Sequence, residues 1–404
     1  MPLPRAPPSL TDLASPTMAT TPPRPLPNDL IPGILVRLPP DDPAGIVRAS
    51  AVCKAWRRIL ADPAFAGSYR ALHPAAPVLG FLHNQNMLNV ARFRHEHDCR
   101  HGRAIFLDYG SLSSFVVWDP IACNVQHKIP EVPDVLTHPA VVCAAGGACD
   151  HRGCSGGPFI VAFVGVQNIP EDDYFDAHAC FYSSDTGEWS IHINIRLDHG
   201  RYQLEDHAAA LVGDALYFVG RSGFLLRYRY GLLRQVGHKD IISAGIREAD
   251  VLSVIEPPQG KRLRNVIVMT AEDGGLGLAS LCRDRLITLW SRETTGPIGD
   301  AGQWVQRRVI DLKTLLPVGN PKRRPCLRGV AEDGDLIFVS SEDGVFTVEL
   351  KSSQVKKVCD MGKVDLILPF VSFYTDSLLM LLSDVARTVR WETSPSDIRV
   401  LAAP

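Results

Sequence analysis

Four side chains of the kind that bind soft metal ions crowd into a short glycine-rich stretch of this 404-residue sequence: Cys143, Cys149, His151 and Cys154. His95, His97, Cys99 and His101 stand earlier in the chain. Thiolate sulfur and imidazole nitrogen are the ligand set zinc prefers, but the spacing gives neither paired Cys-x-x-Cys knuckles nor a Cys2His2 pattern. The stretch therefore reads as a connecting loop, and no metal and no cofactor are expected. Asp172 and Asp173 with His178 supply acid–base side-chain types, yet no nucleophile elbow or metalloprotease helix accompanies them, so Glu171 to Asp173 reads as an exposed turn. Gly274-Gly275-Leu276-Gly277 lacks the Lys-Ser or Lys-Thr of a phosphate loop and reads as a turn. Lys261, Arg262 and Arg264, and Lys322 to Arg324, read as solvated loop charges. None of these groups carries a recognisable catalytic motif.

The bulk properties agree with a protein-binding role. Forty-two Lys plus Arg against 44 Asp plus Glu leave a net charge of -2, too balanced for a nucleic-acid phosphate footprint. An apolar content of 46% supports a sizeable core, and the length suits one small and one large domain. Ten cysteines lie at irregular spacings behind no recognisable secretion signal, so they read as reduced thiols. No apolar run approaches the ~20 residues that span a bilayer. The expectation is a soluble protein of the cytoplasm, the nucleus or both, with no membrane and no nucleic-acid partner.

The elements that would position such chemistry fall into two parts. Residues 1–24, rich in Pro, Thr and Ser, carry no period and read as a disordered tail. Leu26, Leu30, Ile31, Ile34, Leu35 and Leu38 then recur at helical spacing behind Asp29, a candidate N-cap, with Pro32 in the first turn. Pro39-Pro40 end that helix, and Asp41-Asp42-Pro43 open another. Val52, Trp56, Ile59 and Leu60 form a further apolar stripe, stopped at Asp62-Pro63.

This order of pieces resembles the F-box. The resemblance lies in Leu26-Pro27-Asn28-Asp29-Leu30-Ile31, Ile34-Leu35, Arg37-Leu38-Pro39, Val52-Cys53-Lys54-Ala55-Trp56-Arg57 and Asp62-Pro63-Ala64-Phe65. It departs from the family at Gly33, where a helix-favouring residue is usual. The resemblance implies a three-helix F-box over residues 25–70 that docks a Skp-type adaptor and, through it, a cullin. The matching positions Leu26, Pro27, Leu30, Ile31, Ile34, Leu35, Val52, Cys53 and Trp56 would share the adaptor interface with the F-box's own core. So short a segment cannot bury all its apolar residues against itself, which is the physical content of the match.

Beyond a linker at 71–77, residues 78–404 turn to short β-type runs: Val78 to Leu82, Ala104 to Leu107, Phe115 to Trp118, Phe159 to Val166, Ala179 to Tyr182, Ala215 to Val219, Phe224 to Tyr228, Val266 to Met269, Leu286 to Trp290, Leu336 to Val339 and Val345 to Leu350. Gly-Asp and Asp-Gly turn signals separate them. Val212 to Val219 with Gly223 matches Asp333 to Ser340 with Gly344 at a constant offset, an internal repeat that favours a propeller over a sandwich. Blades of ~40 to 50 residues would give roughly six to eight units, with the Cys/His stretch joining one blade to the next.

The expected fold is thus mainly β with a small α N-terminal domain, a three-helix F-box followed by a β-propeller-like domain. An F-box ahead of a strand-rich region with Trp118-Asp119-Pro120 looks like plant, particularly grass-type, F-box proteins with a propeller-like associated domain. Kelch and WD signatures are not clean, so the propeller subtype stays open. The resemblance implies a non-catalytic substrate receptor of a Skp–cullin–F-box ubiquitin ligase, recruiting an unidentified client. The alternative is a propeller enzyme or small-ligand receptor whose helical N-terminus is a structural cap.

Overall fold

The computed structural model describes residues 27–373 and 401–402, apart from 41, 74–75, 84–92, 109–113, 120–124, 146–148, 150, 152–153, 155, 171–173, 198–201, 222, 237–240, 242, 259–262, 264, 295–301, 317–323 and 361–363. The expected tail at 1–24, Leu26, the acidic group Asp172-Asp173, and Lys261, Arg262, Arg264, Lys322 and Arg323 lie outside the described residues.

The helical part comes first. A 3-10 turn, Asn28–Leu30, leads into α1 (Ile31–Leu35), followed by α2 (Pro43–Val52), α3 (Lys54–Leu60) and α4 (Pro63–Leu72). Asp29 sits inside the 3-10 turn and caps nothing: Pro27 holds the cap position with no side-chain hydrogen bond. Asp42 does cap α2, its Oδ1 accepting the Gly45 N–H at 3.0 Å. Cys53, extended at φ -162, ψ 166, separates α2 from α3. Asp62 stops α3 as expected and then opens α4, accepting the Ala64 N–H at 2.9 Å with Pro63 at the first helical position.

The β part is a ring of antiparallel sheets. Blade 1 holds β2 (Phe93–Arg100), β3 (Arg103–Asp108), β4 (Ser114–Asp119) and β5 (Val125–Lys128). Blade 2 holds β6 (His138–Cys143), β7 (Phe159–Ile169), β8 (Tyr174–Ser183) and, both along β8, β9 (Glu188–Trp189) and β10 (Ile193–Leu197). Blade 3 holds β11 (Ala210–Val212), β12 (Ala215–Val219), β13 (Leu225–Tyr228) and β14 (Leu252–Ile255), with α5 (Tyr230–Val236) and α6 (Glu248–Val251) between the last two. Blade 4 holds β15 (Val266–Thr270), β16 (Leu276–Leu281), β17 (Leu286–Thr294) and β18 (Gly302–Asp311). After α7 (Leu312–Leu315), blade 5 holds β19 (Cys326–Val330), β20 (Leu336–Ser341), β21 (Gly344–Glu349) and β22 (Val355–Cys359).

The ring is completed by a sheet of distant segments: β1 (Val78–His83) pairs on one side with β23 (Ile367–Val371) and on the other with β24 (Leu401–Ala402). Alternation along β1 closes the circle, because Phe81 packs on Phe338 of blade 5 while Leu82 packs with Phe106 of blade 1. Apolar clusters likewise fill the seams between blades 1 and 2, 2 and 3, 3 and 4, and 4 and 5. Among the described residues the mainly-β part is therefore a propeller of five full blades plus a three-stranded closing sheet. That is fewer blades than the length suggested, because long connections within blades 2 and 3 take up chain that the expected spacing assigned to further units. The internal repeat marks equivalent places in blades 3 and 5. Gly213 and Gly334, at φ 62 and 76, turn the first strand into the second in each.

Candidate adaptor-docking face and the propeller axis

Residues 27–72 sort their apolar side chains into two sets. Ile31, Leu35, Ile46, Ala49, Leu60, Phe65 and Tyr69 are buried together, and Phe373, just past β23, joins them. The Tyr69 ring meets Phe373 edge-on at 6.3 Å and its hydroxyl donates to the Leu38 carbonyl at 2.9 Å. That core fixes the other set outside: Leu30 is 55% exposed, Ile34 42% and Val52 61%. Leu30 and Ile34 stand four residues apart on one helical face, and Val52 with the exposed Cys53 marks the break between α2 and α3. Of the other residues expected to meet an adaptor, Pro27 is exposed, Trp56 half-buried, and Ile31 and Leu35 are core. Lys54, Arg57 and Arg58 are exposed on α3 and give its surface a basic character. Sequence reasoning missed Tyr69 and Phe373. The Phe65–Tyr69 spacing behind Asp62-Pro63 was a signal for α4, whereas nothing local marks Phe373 as part of a helical core.

Residues 25–66 match the F-box-like family model. The match covers about a tenth of the chain and coincides with the helices just described. No curated protein matches the chain by sequence. Among solved structures, the chain is similar to the WD40 domain of SCAP from fission yeast, at 13% identity and a TM-score of 0.32, over 70% of this chain and 54% of that one. It is also similar to a chain of a mitotic checkpoint complex at 11% identity and a TM-score of 0.33, over 72% and 70% of the two chains. The complex of fission yeast SREBP–SCAP binding domains gives 11% identity and a TM-score of 0.29, over 71% and 64%. This chain thus spans about half the length of the first of these. The fold assignment rests on the strand pairing rather than on these scores.

At the propeller axis a cavity of about 420 Å³ is lined by the first strands of several blades. Two pairs of its polar groups, Asp98 with Arg100 and His101 with Glu332, bond to each other. Arg100 donates to Asp98 Oδ2 at 2.9 Å and to the Ala209 carbonyl at 2.5 Å, and Asp98 Oδ2 also accepts the Val141 N–H at 2.9 Å. Burial nevertheless raises the Asp98 pKa, opposed by the Arg100 charge and the backbone donors. The His101 N–H donates to Glu332 Oε1 at 2.8 Å. His101 Nδ1 accepts the Cys143 N–H at 3.2 Å, which places the imidazole proton on Nε2, 3.6 Å from Glu332 Oε2. Burial first, then the charges of Arg100, His151 and Arg103, lower the His101 pKa to about 2, so the ring is neutral. Burial likewise raises Glu332 to about 7. These bonds run from blade 1 to blades 2, 3 and 5, and their first effect is to pin inner strands around the axis.

The thiol and imidazole residues converge as well. Cys143 ends β6, and Cys149, His151 and Cys154 belong to the connection from β6 to β7, inside blade 2 rather than between blades as the sequence suggested. One ligand atom from each of the four lies within 4.8 Å of all the others. Of the earlier group, Cys99 is buried and His101 stacks on His151 with ring centroids 4.0 Å apart. His178 instead faces His192 across 5.2 Å on the outer part of blade 2. Of the segment Gly274 to Gly277 read as a turn, Gly274 and Gly275 turn, with Asp273 Oδ1 accepting the Gly275 N–H at 2.9 Å, whereas Leu276 and Gly277 already belong to β16. No helix among the described residues is long and apolar enough to cross a membrane.

Proposed function

We propose that this chain is the substrate receptor of a Skp–cullin–F-box ubiquitin ligase. An F-box-like segment followed by a β-propeller supports such a role in general. The observation that carries the reading is the division of that segment's apolar residues. A family match over 25–66 coincides with a small helical core that leaves Leu30, Ile34 and Val52 in water. Solvent-exposed leucine, isoleucine and valine on so small a unit are anchors for a partner helix surface.

In this reading a Skp-type adaptor covers Leu26, Pro27, Leu30, Ile34, Val52, Cys53 and Trp56. Ile31 and Leu35 hold those residues in place from beneath. The F-box extends over 25–70, the linker over 71–77, and the propeller from 78 onward presents a client. The adaptor joins the complex to a cullin, and ubiquitin transfer belongs to other subunits, so this chain contributes proximity rather than catalytic groups. A plant, grass-type F-box lineage and a cytoplasmic or nuclear location complete the proposal. The rival reading, an enzyme or small-ligand receptor, draws on the axial cavity. It is disfavoured because Asp98, Arg100, His101 and Glu332 already bond across blades.

The test is capture of purified Skp-type adaptor by the full-length protein beside its Leu30→Glu and Val52→Glu variants. Binding by the parent and its loss, by roughly a hundredfold or more, in folded variants is the expected result. Equal adaptor binding by parent and variants, or none by the folded parent, overturns the assignment.

A further inference from the structure

The connection from β6 to β7 is long for this ring and, unlike the longer one from β13 to β14, carries no helix among its described residues. β11 to β12 turns through Gly213 and Asp214 alone, and β19 to β20 through Ala331 to Asp335, but β6 and β7 are adjacent antiparallel strands joined by all of Ala144 to Pro158. Connections of that length between paired strands are uncommon unless something orders them.

We propose that Cys143, Cys149, His151 and Cys154 form a structural zinc site that cross-links this connection. Three thiolates and one imidazole are a complete structural ligand set for tetrahedral zinc, with no position left open for substrate. A Zn–S bond of about 2.3 Å sets the ligand–ligand edges of a tetrahedron near 3.8 Å. The four ligand atoms lie within 4.8 Å of one another, and Cys154 Sγ is 3.9 Å from His151 Nδ1, so closure around the ion requires side-chain adjustments of about an ångström.

Backbone donors and one buried cation face the sulfurs. The Ala145 N–H donates to Cys143 Sγ and the His151 N–H to Cys149 Sγ, each at 3.4 Å, while burial and the neighbouring thiols push the Cys154 thiol up to about 12 in the absence of a cation. Three thiolates and a divalent cation carry one net negative charge. Beside them Arg103, 3% exposed, donates through Nη2 to the carbonyls of Cys154 at 2.5 Å and Gly157 at 2.6 Å, while its buried Nη1 has no hydrogen-bond partner among the described residues. The guanidinium therefore both anchors the last turn of the connection and supplies the compensating charge. His151 is held at φ 58, a costly conformation for a residue with a Cβ, and its ring lies parallel to that of His101 with an interplanar angle of 6°. Backbone and stacking thus fix the imidazole beside the sulfurs before any ion arrives. On binding, each coordinating thiol gives up its proton to solvent and no electron moves.

The experiment uses the full-length protein purified under reducing conditions, reconstituted with zinc or with cobalt(II), and its Cys149→Ser/Cys154→Ser variant, with Cys326→Ser as a control away from the cluster. Metal content is measured after removal of free ion, the cobalt form is examined for the visible bands of tetrahedral thiolate coordination, and circular dichroism checks the fold. About one metal ion per parent chain, those bands, and the loss of both in the double variant but not in Cys326→Ser, are expected. Substoichiometric metal below about a tenth per folded parent chain, cobalt bands of octahedral oxygen and nitrogen coordination, or undiminished metal in the double variant overturns the site. A disulfide among these cysteines in the protein as purified, in place of bound metal, overturns it equally. Should the double variant fail to fold, the parent's cobalt spectrum decides alone.

Discussion

Ile34 and Leu35 are neighbouring aliphatic residues that helical spacing places on one broad stripe, yet packing separates them, and the separation predicts different phenotypes. Leu35 is 1% exposed, so Leu35→Ala leaves a cavity and is expected to cost ~2–5 kcal/mol in chemical unfolding of the helical segment. Ile34→Ala on the exposed face should change stability by less than ~0.5 kcal/mol while weakening adaptor capture. At the axis, Glu332 gives a pH signature. Its folded pKa of about 7 lies above the ordinary value of 4.5, so between those values the folded chain binds more protons than the unfolded one and this carboxyl lowers stability as pH rises. Glu332→Gln removes that term. Relative to the parent, the variant should gain up to about 3 kcal/mol between pH 4.5 and 7 and no more above it, read from denaturant midpoints across that range. The neutral His101 acts with the opposite sign at low pH, which is why the difference between variants, rather than either curve, carries the prediction.

Elements show where the sequence was legible. The eleven expected runs all contain strands, because each is rich in β-branched, aromatic or other large apolar residues and most are flanked by a Gly or Asp turn. β2 carries no apolar run: Phe93–Arg100 is charged and histidine-rich, and Asp98 and Arg100 spend their polarity on the backbone of Val141 and Ala209 in the neighbouring part of the ring. β18 and β22, last in their blades, are too polar to show an apolar alternation, and β16 was hidden by its glycines. The helices were legible as stripes and caps. Their division at Cys53 was not, since a break in the middle of an apolar stripe leaves little trace in residue spacing, whereas α4 is marked by the Phe65–Tyr69 spacing behind Asp62-Pro63. Of the candidate sites, the proposed docking residues rest on the motif, whereas the Cys/His cluster has an irregular spacing that only the hairpin β6–β7 converts into proximity. Close packing between elements makes one further prediction. A Cβ at Gly329 of β19 would lie 2.1 Å from the Ile367 carbonyl oxygen of β23, so Gly329→Ala must push blade 5 away from the closing sheet. A loss of ~1–3 kcal/mol or more in thermal or denaturant unfolding is expected, against no loss for Gly67→Ala in α4, where an added Cβ meets nothing within 4 Å.

For the whole molecule, the contact of Tyr69 with Phe373 ties the helical segment to the ring. Phe373→Ala should cost about 3 kcal/mol and separate the two transitions, so that calorimetry resolves the helices melting ahead of the propeller. A single unchanged transition would show that the helices do not depend on that ring. The pairing of β1 with β23 carries a consequence in time. About three hundred residues separate the partners, and at a synthesis rate of ~5–20 residues per second the first strand waits roughly 15–60 s on the ribosome before its neighbour exists. Throughout that interval the N-terminal helices have already emerged while β1 remains an unsatisfied edge, an invitation to mispairing between nascent chains. Cellular yield of this protein should therefore depend on how the waiting strand is sheltered, and slowing translation should penalise it more than a protein whose strands find their partners locally.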